Sequence, residues 1–250
     1  MKNKIIDIID NNDIGSSDLL KYKRVWNTME HGKKKKENFK YELVQNTSPF
    51  FTHDNQLKPI KLMKGYGIKS IREFQRIPMK REDLLKVISL SFCKGNQSNH
   101  RSYGSAGALY PIFPILIVTK DNIVEKLSRG IYVLDDDTQN LIYVSCGQEL
   151  NKMAKYIYPY DENKKLPSDL MICYCFSLFR TTIKYGFRGF RHMLFEAGEM
   201  AEAFRLFGSR EIPDFGDISW SGFDDEGVKK TIGISNISPV MIQFFGYRSN

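Results

Sequence analysis

Apolar positions along the chain follow two rhythms, and each rhythm predicts its own elements. Leu19, Tyr22, Trp26 and Met29 recur at helical spacing behind a pair of serines, which predicts a helix over residues 17–30. Residues 31–66 lose that rhythm, being lysine-rich and then punctuated by prolines, and predict an irregular segment wrapping the surface. In "PMKREDLLKVISLSF" (78–92) apolar residues return at positions 85, 88 and 92 behind Pro78, a residue favoured at a helix start. A polar, glycine-rich stretch at 94–107 leads to "IFPILIV" (112–118), a strand in which Pro114 predicts an edge or a bulge. "IYVL" (131–134) and "LIYV" (141–144), joined by "DDDTQN", predict a hairpin. A short helix over "ELNKMAKYIY" and a buried strand over "LMICYCFSLF" (170–179) follow. The clearest helix covers roughly 188–207, with Phe190, Met193, Leu194, Ala197, Ala201, Phe204 and Phe207 on one side. Its small residues Ala197, Gly198 and Ala201 permit close approach of another helix, including one from a second subunit. A further helix starts at Asp224 or Asp225, and "VMIQFF" (240–245) predicts a final strand. Strands and helices mix without strict βαβ alternation, which predicts an α+β fold.

Composition narrows the class without choosing a function. A chain of 250 residues, 42% hydrophobic and 26% charged, is that of a soluble globular protein with a substantial core. Lys and Arg number 37 against 29 Asp and Glu, and the net charge of +8 suits an anionic partner: a phosphate-bearing cofactor, an acidic peptide or nucleic acid. The densest cluster, "HGKKKKE" with Lys33–Lys36, reads as a solvated loop ahead of a nucleic-acid patch, so no nucleic-acid partner is expected. Cys93, Cys146, Cys173 and Cys175 show no C-x-x-C spacing and form no disulfide framework, which points to a reduced cytosolic setting. Cys173 and Cys175 share one strand face and read as small apolar groups. Asp7 and Asp10 come too early for a signal peptide, and the run at 108–118 contains two prolines and is too short to span a bilayer. No membrane partner is expected.

Several chemistries lack their motifs. H-E-x-x-H, the P-loop, a strand-following G-x-G-x-x-G and G-x-S-x-G are all absent. His31, His53, His100 and His192 are scattered without ligand spacing, so no metal site is expected. Three patches of basic and small residues remain. "KSIREF" sets Lys69, Ser70 and Arg72 close enough to hold a phosphate, since Arg offers forked donors and Ser another. An ordinary turn with exposed charges has the same appearance. "RSYGSAGALYP" offers Arg101, Ser105 and Gly107, whose lack of bulk lets a planar ligand approach the backbone. "FGYRSN" contributes Arg248 near the end of the chain.

The order of these patches resembles that of the nitroreductase-like flavoproteins, and more narrowly the SagB-type (McbC-like) azoline dehydrogenases. "KSIREF" resembles the family's R-R-S-x-R-x-F, "GSAGALYP" its P-S-A-G-A-L-Y-P, and "GIYVLD" (130–135) its G-L-Y-x-Y-D. "KYGFRGFRHMLFEAGEMAEAF" (184–204) resembles K-Y-x-x-R-x-Y-R-x-x-L-x-E-A-G-H and the helix after it. The match spans about residues 66–208. Three positions depart from the pattern: Ile68 replaces the first basic residue, Gly104 the proline, and Glu199 the histidine.

The resemblance implies an FMN-binding α+β fold with a mostly antiparallel central sheet flanked by helices and a long helix at a homodimer interface. It divides the chain into an N-terminal segment, 1–65, and a flavin domain, 66–250. Ser70 and Arg72, with Lys69 nearby, would contact the FMN phosphate or ribityl chain, and Arg248 is a further phosphate candidate. Arg101, Ser105 and Gly107 would line the flavin, while Lys184 would be the catalytic base and Tyr185 its partner. A lysine base needs burial or neighbouring cations, and Arg188 and Arg191 are close in sequence. The implied reaction converts thiazolines or oxazolines in a ribosomally made precursor peptide to thiazoles or oxazoles. Oxygen would reoxidise the flavin, and a heterocyclase complex would be the partner. An NAD(P)H-dependent nitro or quinone reductase and a flavin-poor docking subunit of such a complex remain the alternatives.

Overall fold

Seven consecutive apolar or aromatic residues, Leu170–Phe176, can be stable in a strand only where both faces are covered. The structure, a computed structural model, places this strand in the middle of a sheet. It describes residues 65, 67–95, 98–135, 138–147, 149–161 and 163–249. The expected helix over 17–30 and the lysine run at 33–36 lie outside the described residues, as does most of the segment 31–66.

The elements in chain order are α1 (Arg81–Phe92), β1 (Ile112–Val118), β2 (Gly130–Asp135), β3 (Asn140–Ser145), α2 (Met153–Ile157), β4 (Leu170–Phe176), α3 (Leu178–Tyr185), α4 (Arg188–Glu211), β5 (Phe215–Trp220), α5 (Asp225–Ile232) and β6 (Ser238–Tyr247). The six strands run in the order β3-β2-β1-β4-β6-β5, every neighbour antiparallel. Strand alternation splits the core in two. Ile172, Tyr174 and Phe176 face α1 and α4, whose Phe92, Met193, Met200 and Phe204 fill that side. Met171, Cys173 and Cys175 face α2 and α5, which contribute Met153, Ile157, Val228 and Ile232. The two thiols lie 3.6 Å apart and fully buried, the small apolar pair their spacing predicts. The result is an α+β sandwich of helices, sheet and helices.

Three local expectations need correction. Pro78 does not open the first helix; α1 begins at Arg81, and neighbouring Met79 forms an isolated bridge to Val124. Pro114 lies on an interior strand, but the β2 ladder starts only at Ile115, so among the described residues Pro114 has β4 as its one strand neighbour. A missing N–H is tolerated there. Leu194, placed by periodicity on the buried side of α4, is 38% exposed. No helix among the described residues is long and apolar enough to cross a membrane.

Candidate active site

The antiparallel register of β1 and β4 builds the site. Ile112 pairs with Phe176, so the loop entering β1 and the helix leaving β4 emerge side by side. Ser177 N–H donates to the Pro111 carbonyl at 3.0 Å, and the Arg180 guanidinium to the Tyr110 carbonyl at 2.9 Å. Lys184 and Tyr185 therefore form the last turn of α3, not the entrance of the long helix as their sequence position suggests. A cation is favoured at that helix end by the backbone dipole.

Both side chains reach back to the loop. A Cβ on Gly107 would sit 2.6 Å from Tyr185 Oη and 2.7 Å from Lys184 Nζ, and Gly107 has φ of 64°. Only glycine satisfies both conditions. Ala108 and Tyr110 also take left-handed φ, 53° and 46°. Such backbone costs energy for residues with a side chain and concentrates at functional sites. Tyr110 N–H donates to Ser105 Oγ at 2.8 Å and ties the turn together. Gly107→Ala is expected to displace Lys184 and Tyr185 and to lose at least about tenfold in flavin affinity or turnover, while Ala106→Gly, one residue earlier, changes little.

The floor of the site is one face of α4, which sequence reasoning missed. The His192 ring packs edge-on against Tyr185, with centroids 5.0 Å apart. One turn on, Glu196 is buried at 2% exposure. At the next turn Glu199 Oε2 accepts the Gly104 N–H at 2.8 Å. The available signal was the spacing of 192, 196 and 199, which puts three titratable side chains along one helical stripe. Burial pushes the Glu196 carboxyl up to about 7, opposed by the Ser105 hydroxyl, the Ile112 N–H and the Arg101 guanidinium; the Glu199 charge adds to the rise.

The Gly104–Glu199 contact joins two of the departures from the family pattern. A proline at 104 has no N–H to donate, so Gly104 and Glu199 make sense together. Gly104→Pro and Glu199→His should each cost about 1 kcal/mol in urea unfolding, and the double variant should cost less than their sum.

The cofactor residues expected from sequence divide into separate groups. Ser105 and Gly107 join Lys184 and Tyr185. Arg101 turns inward: its guanidinium lies 4.2 Å from the Tyr110 ring centroid, and Nη1 donates to Tyr103 Oη at 2.6 Å. Lys69, Ser70 and Arg72 are exposed on a segment running beside β5 and β6, where Ile71 N–H donates to the Asp217 carbonyl and Gln75 N–H to the Tyr247 carbonyl. Arg248 lies at the same end, paired with Asp214 at 2.9 Å. A cavity of about 540 Å³ between Ile68, Ser102 and the α4 residues Leu206 and Phe207 lies between these groups. Among the described residues no group of three side chains fits a metal ion.

Solved structures with the same architecture define the class of fold. A structure assigned to the nitroreductases, from Anabaena variabilis, matches with a TM-score of 0.60 at 19% identity, over 72% of this chain and 36% of that one. Another from Ralstonia eutropha gives 0.58 at 16% identity, over 78% and 89%. The chain therefore has the nitroreductase-like fold. A chain of the E. coli microcin synthetase McbBCD complex with truncated pro-MccB17 bound matches with a TM-score of 0.79 at 19% identity, over 98% of both chains. In sequence the chain is similar to the microcin B17-processing protein McbC of Escherichia coli, 27% identical over 159 residues. That alignment takes in 60% of this chain and only 55% of the relative. No family model matches the chain.

Proposed function

We propose that this chain is an FMN-dependent azoline dehydrogenase that oxidises thiazoline or oxazoline rings of a ribosomally made precursor peptide to thiazoles or oxazoles. The observation that carries this reading is the meeting of Lys184 Nζ and Tyr185 Oη on the bare Cα of Gly107. The similarity to a microcin B17-processing protein supports a precursor peptide as the substrate. On this reading residues 66–250 form the flavin unit and the protein works in the cytosol with a heterocyclase complex.

The residues present fit a flavin. Ser105, Ala106, Gly107 and Ala108 form a ledge of small side chains on which a planar ring can rest. Lys69 and Arg72 are exposed, meet no carboxylate among the described residues and suit a phosphate. Arg248 would join them by releasing Asp214, whereas Arg101 acts from below by holding Tyr103 and Tyr110.

The two ends of the binding set lie at opposite ends of the sheet. Tyr247 and Arg248 follow the end of β6 that pairs with the start of β4, while Lys184 and Tyr185 follow the end of β4. A seven-residue strand separates them by on the order of 20 Å. A second copy, presenting its phosphate-binding end to the Gly107 ledge of the first, would complete the site. Phe195 at 60% exposure, Leu206 at 50% and the open Gly198 on α4 suit that homodimer contact.

Aromatising an azoline removes two hydrogens. Bound FMN supplies the two-electron acceptor, with oxygen as the final oxidant. Lys184 takes the proton from the ring carbon, and Tyr185 orients the amine and passes the proton outward. Lys184 is exposed in the single chain, as are Ile183 and Phe187 beside it. The second copy and the peptide supply the desolvation a lysine base needs. The test is a visible spectrum before and after heat release of the chromophore, followed by mass analysis of an azoline peptide incubated aerobically. Released FMN approaching the chain in amount, and loss of two hydrogens per ring, are expected. A protein that cannot be loaded with FMN would overturn the reading in favour of a docking subunit.

A further inference from the structure

We propose that the cleft between residues 74–79, α2 and residues 163–169 is a docking groove for an extended, acidic segment of the peptide substrate. That the occupant belongs to the substrate rests on the function proposed above; the chemistry of the groove does not.

The groove has two contiguous chambers of about 560 and 390 Å³, which share Phe74, Arg76, Lys164, Lys165, Leu166 and Pro167. Lys120 lines only the first chamber and Arg72 only the second, and each chamber has one carboxylate, Asp169 or Glu73. Asp169 is already satisfied by Lys120 Nζ at 3.0 Å and the Thr119 hydroxyl at 2.7 Å. Arg76, Lys164 and Lys165 are exposed and pair with no carboxylate among the described residues. Lys164 is held in place by rings: its Nζ lies 4.4 Å from the Tyr158 centroid and 5.4 Å from that of Trp220. Those two rings meet edge-on at 5.3 Å. Aromatic faces attract the ammonium without neutralising it, so its charge stays available to an anion.

Beside these cations the backbone is open. Gln75 N–H donates to the Tyr247 carbonyl and Met79 N–H to the Ile123 carbonyl, both at 2.8 Å, which pins the segment at its two ends. Between them Arg76 and Ile77 make no backbone hydrogen bond among the described residues, and Ile77 is 52% exposed. Free N–H and C=O groups of this kind recruit an extended peptide.

A compact anion such as a phosphate needs donors that converge on one point. Here the cations are spread over two chambers along a wall that includes Phe74, Leu166 and Pro167, which suits a chain carrying carboxylates and apolar side chains in turn. The place in the fold agrees. Lys120 follows β1 and Asp169 precedes β4, at the sheet end where β6 leads to Arg248. In the two-copy site that end is presented to the Gly107 ledge of the other copy, so the groove leads away from the ring being oxidised.

Anisotropy titrations of the whole chain with a fluorescein-labelled peptide alternating glutamate and tyrosine test the groove, with the lysine–tyrosine peptide as the charge-reversed control. The acidic peptide should bind and the basic one should not. Arg76→Glu and Lys164→Glu should each weaken binding at least about tenfold, because a like charge then faces the peptide. Lys229→Glu makes the same change of charge on α5, outside both chambers, and should leave binding within about twofold. Equal losses in all three variants would reduce the effect to net charge and overturn the proposal. Tighter binding of single-stranded oligothymidylate, lost in the same two variants, would overturn it in favour of a nucleic acid. FMN-loaded and FMN-free protein should show the same pattern. Failure of flavin binding or azoline oxidation with this pattern intact would overturn the functional reading alone, and an active flavoenzyme that ignores the acidic peptide would overturn the groove alone.

Discussion

Replacing Lys184 by alanine is expected to slow azoline oxidation by about 10²–10⁴-fold while FMN stays bound, the range a positioned general base contributes. The two effects separate because Lys184 sits beside the ledge and not among the phosphate-binding residues. Lys184→Arg sharpens the test. Arginine preserves charge and length but cannot release its proton at any working pH, so it should be as slow as alanine. A role in charge alone would instead let arginine rescue. Tyr185→Phe keeps the ring against His192 and loses only the hydroxyl, so a smaller loss is expected. Steady-state oxidation of an azoline peptide, with flavin content measured on the same samples, decides between these outcomes.

Replacing Arg205 by alanine is expected to cost about 3–5 kcal/mol of stability, because it leaves a buried carboxylate without its cation. Asp217 is 1% exposed and takes three guanidinium contacts from Arg205, Nε at 3.0 Å to Oδ1 and 3.1 Å to Oδ2, and Nη2 at 3.0 Å to Oδ2. Oδ2 also accepts from Gln243 Nε2 at 2.7 Å, and Gln243 Oε1 accepts the Tyr174 hydroxyl at 2.6 Å. The network joins α4 to β5, β6 and β4 at one point of the core, and Gln243 adds a bond to the Ala201 carbonyl. Losing one partner strands several buried polar groups together. Thermal unfolding of the variant should drop by roughly 10 °C. Arg210→Ala removes the exposed contact to Glu211 and the guanidinium lying 4.7 Å from the Phe207 ring centroid, and should change stability by about 1 kcal/mol or less. Equal shifts for the two variants would show that the buried network contributes nothing special.

The same network explains where sequence reading succeeded and where it stopped. Strands with an unbroken apolar run, such as Leu170–Phe176, were legible because both faces are buried. The long helix was legible from Met193, Ala197, Ala201 and Phe204. β5 was not: "FGDISW" carries a glycine and a charged aspartate in its first half, and its place in the sheet depends on Arg205 and Gln243, far away in sequence. Lys184 and Tyr185 were found by resemblance, yet their helix Leu178–Tyr185 was missed: its first two residues were read as the end of the preceding strand and its last two as the entrance of the long helix. Glu196 was matched as the glutamate of the E-A-G-H pattern, but it was given no role for a related reason. A glutamate on a helix reads as surface until the fold buries it, and burial of that kind leaves no periodic mark.

On the proposed function, electrons leave an azoline ring for a flavin on this chain. Anaerobic mixing of FMN-loaded protein with a thiazoline-containing peptide tests it most directly, with the visible flavin absorbance followed in time. Bleaching by the peptide alone, accompanied by thiazole formation and slowed in Lys184→Ala, is expected. A flavin that stays oxidised with the peptide and bleaches only with NAD(P)H would contradict it and identify a reductase on the same fold.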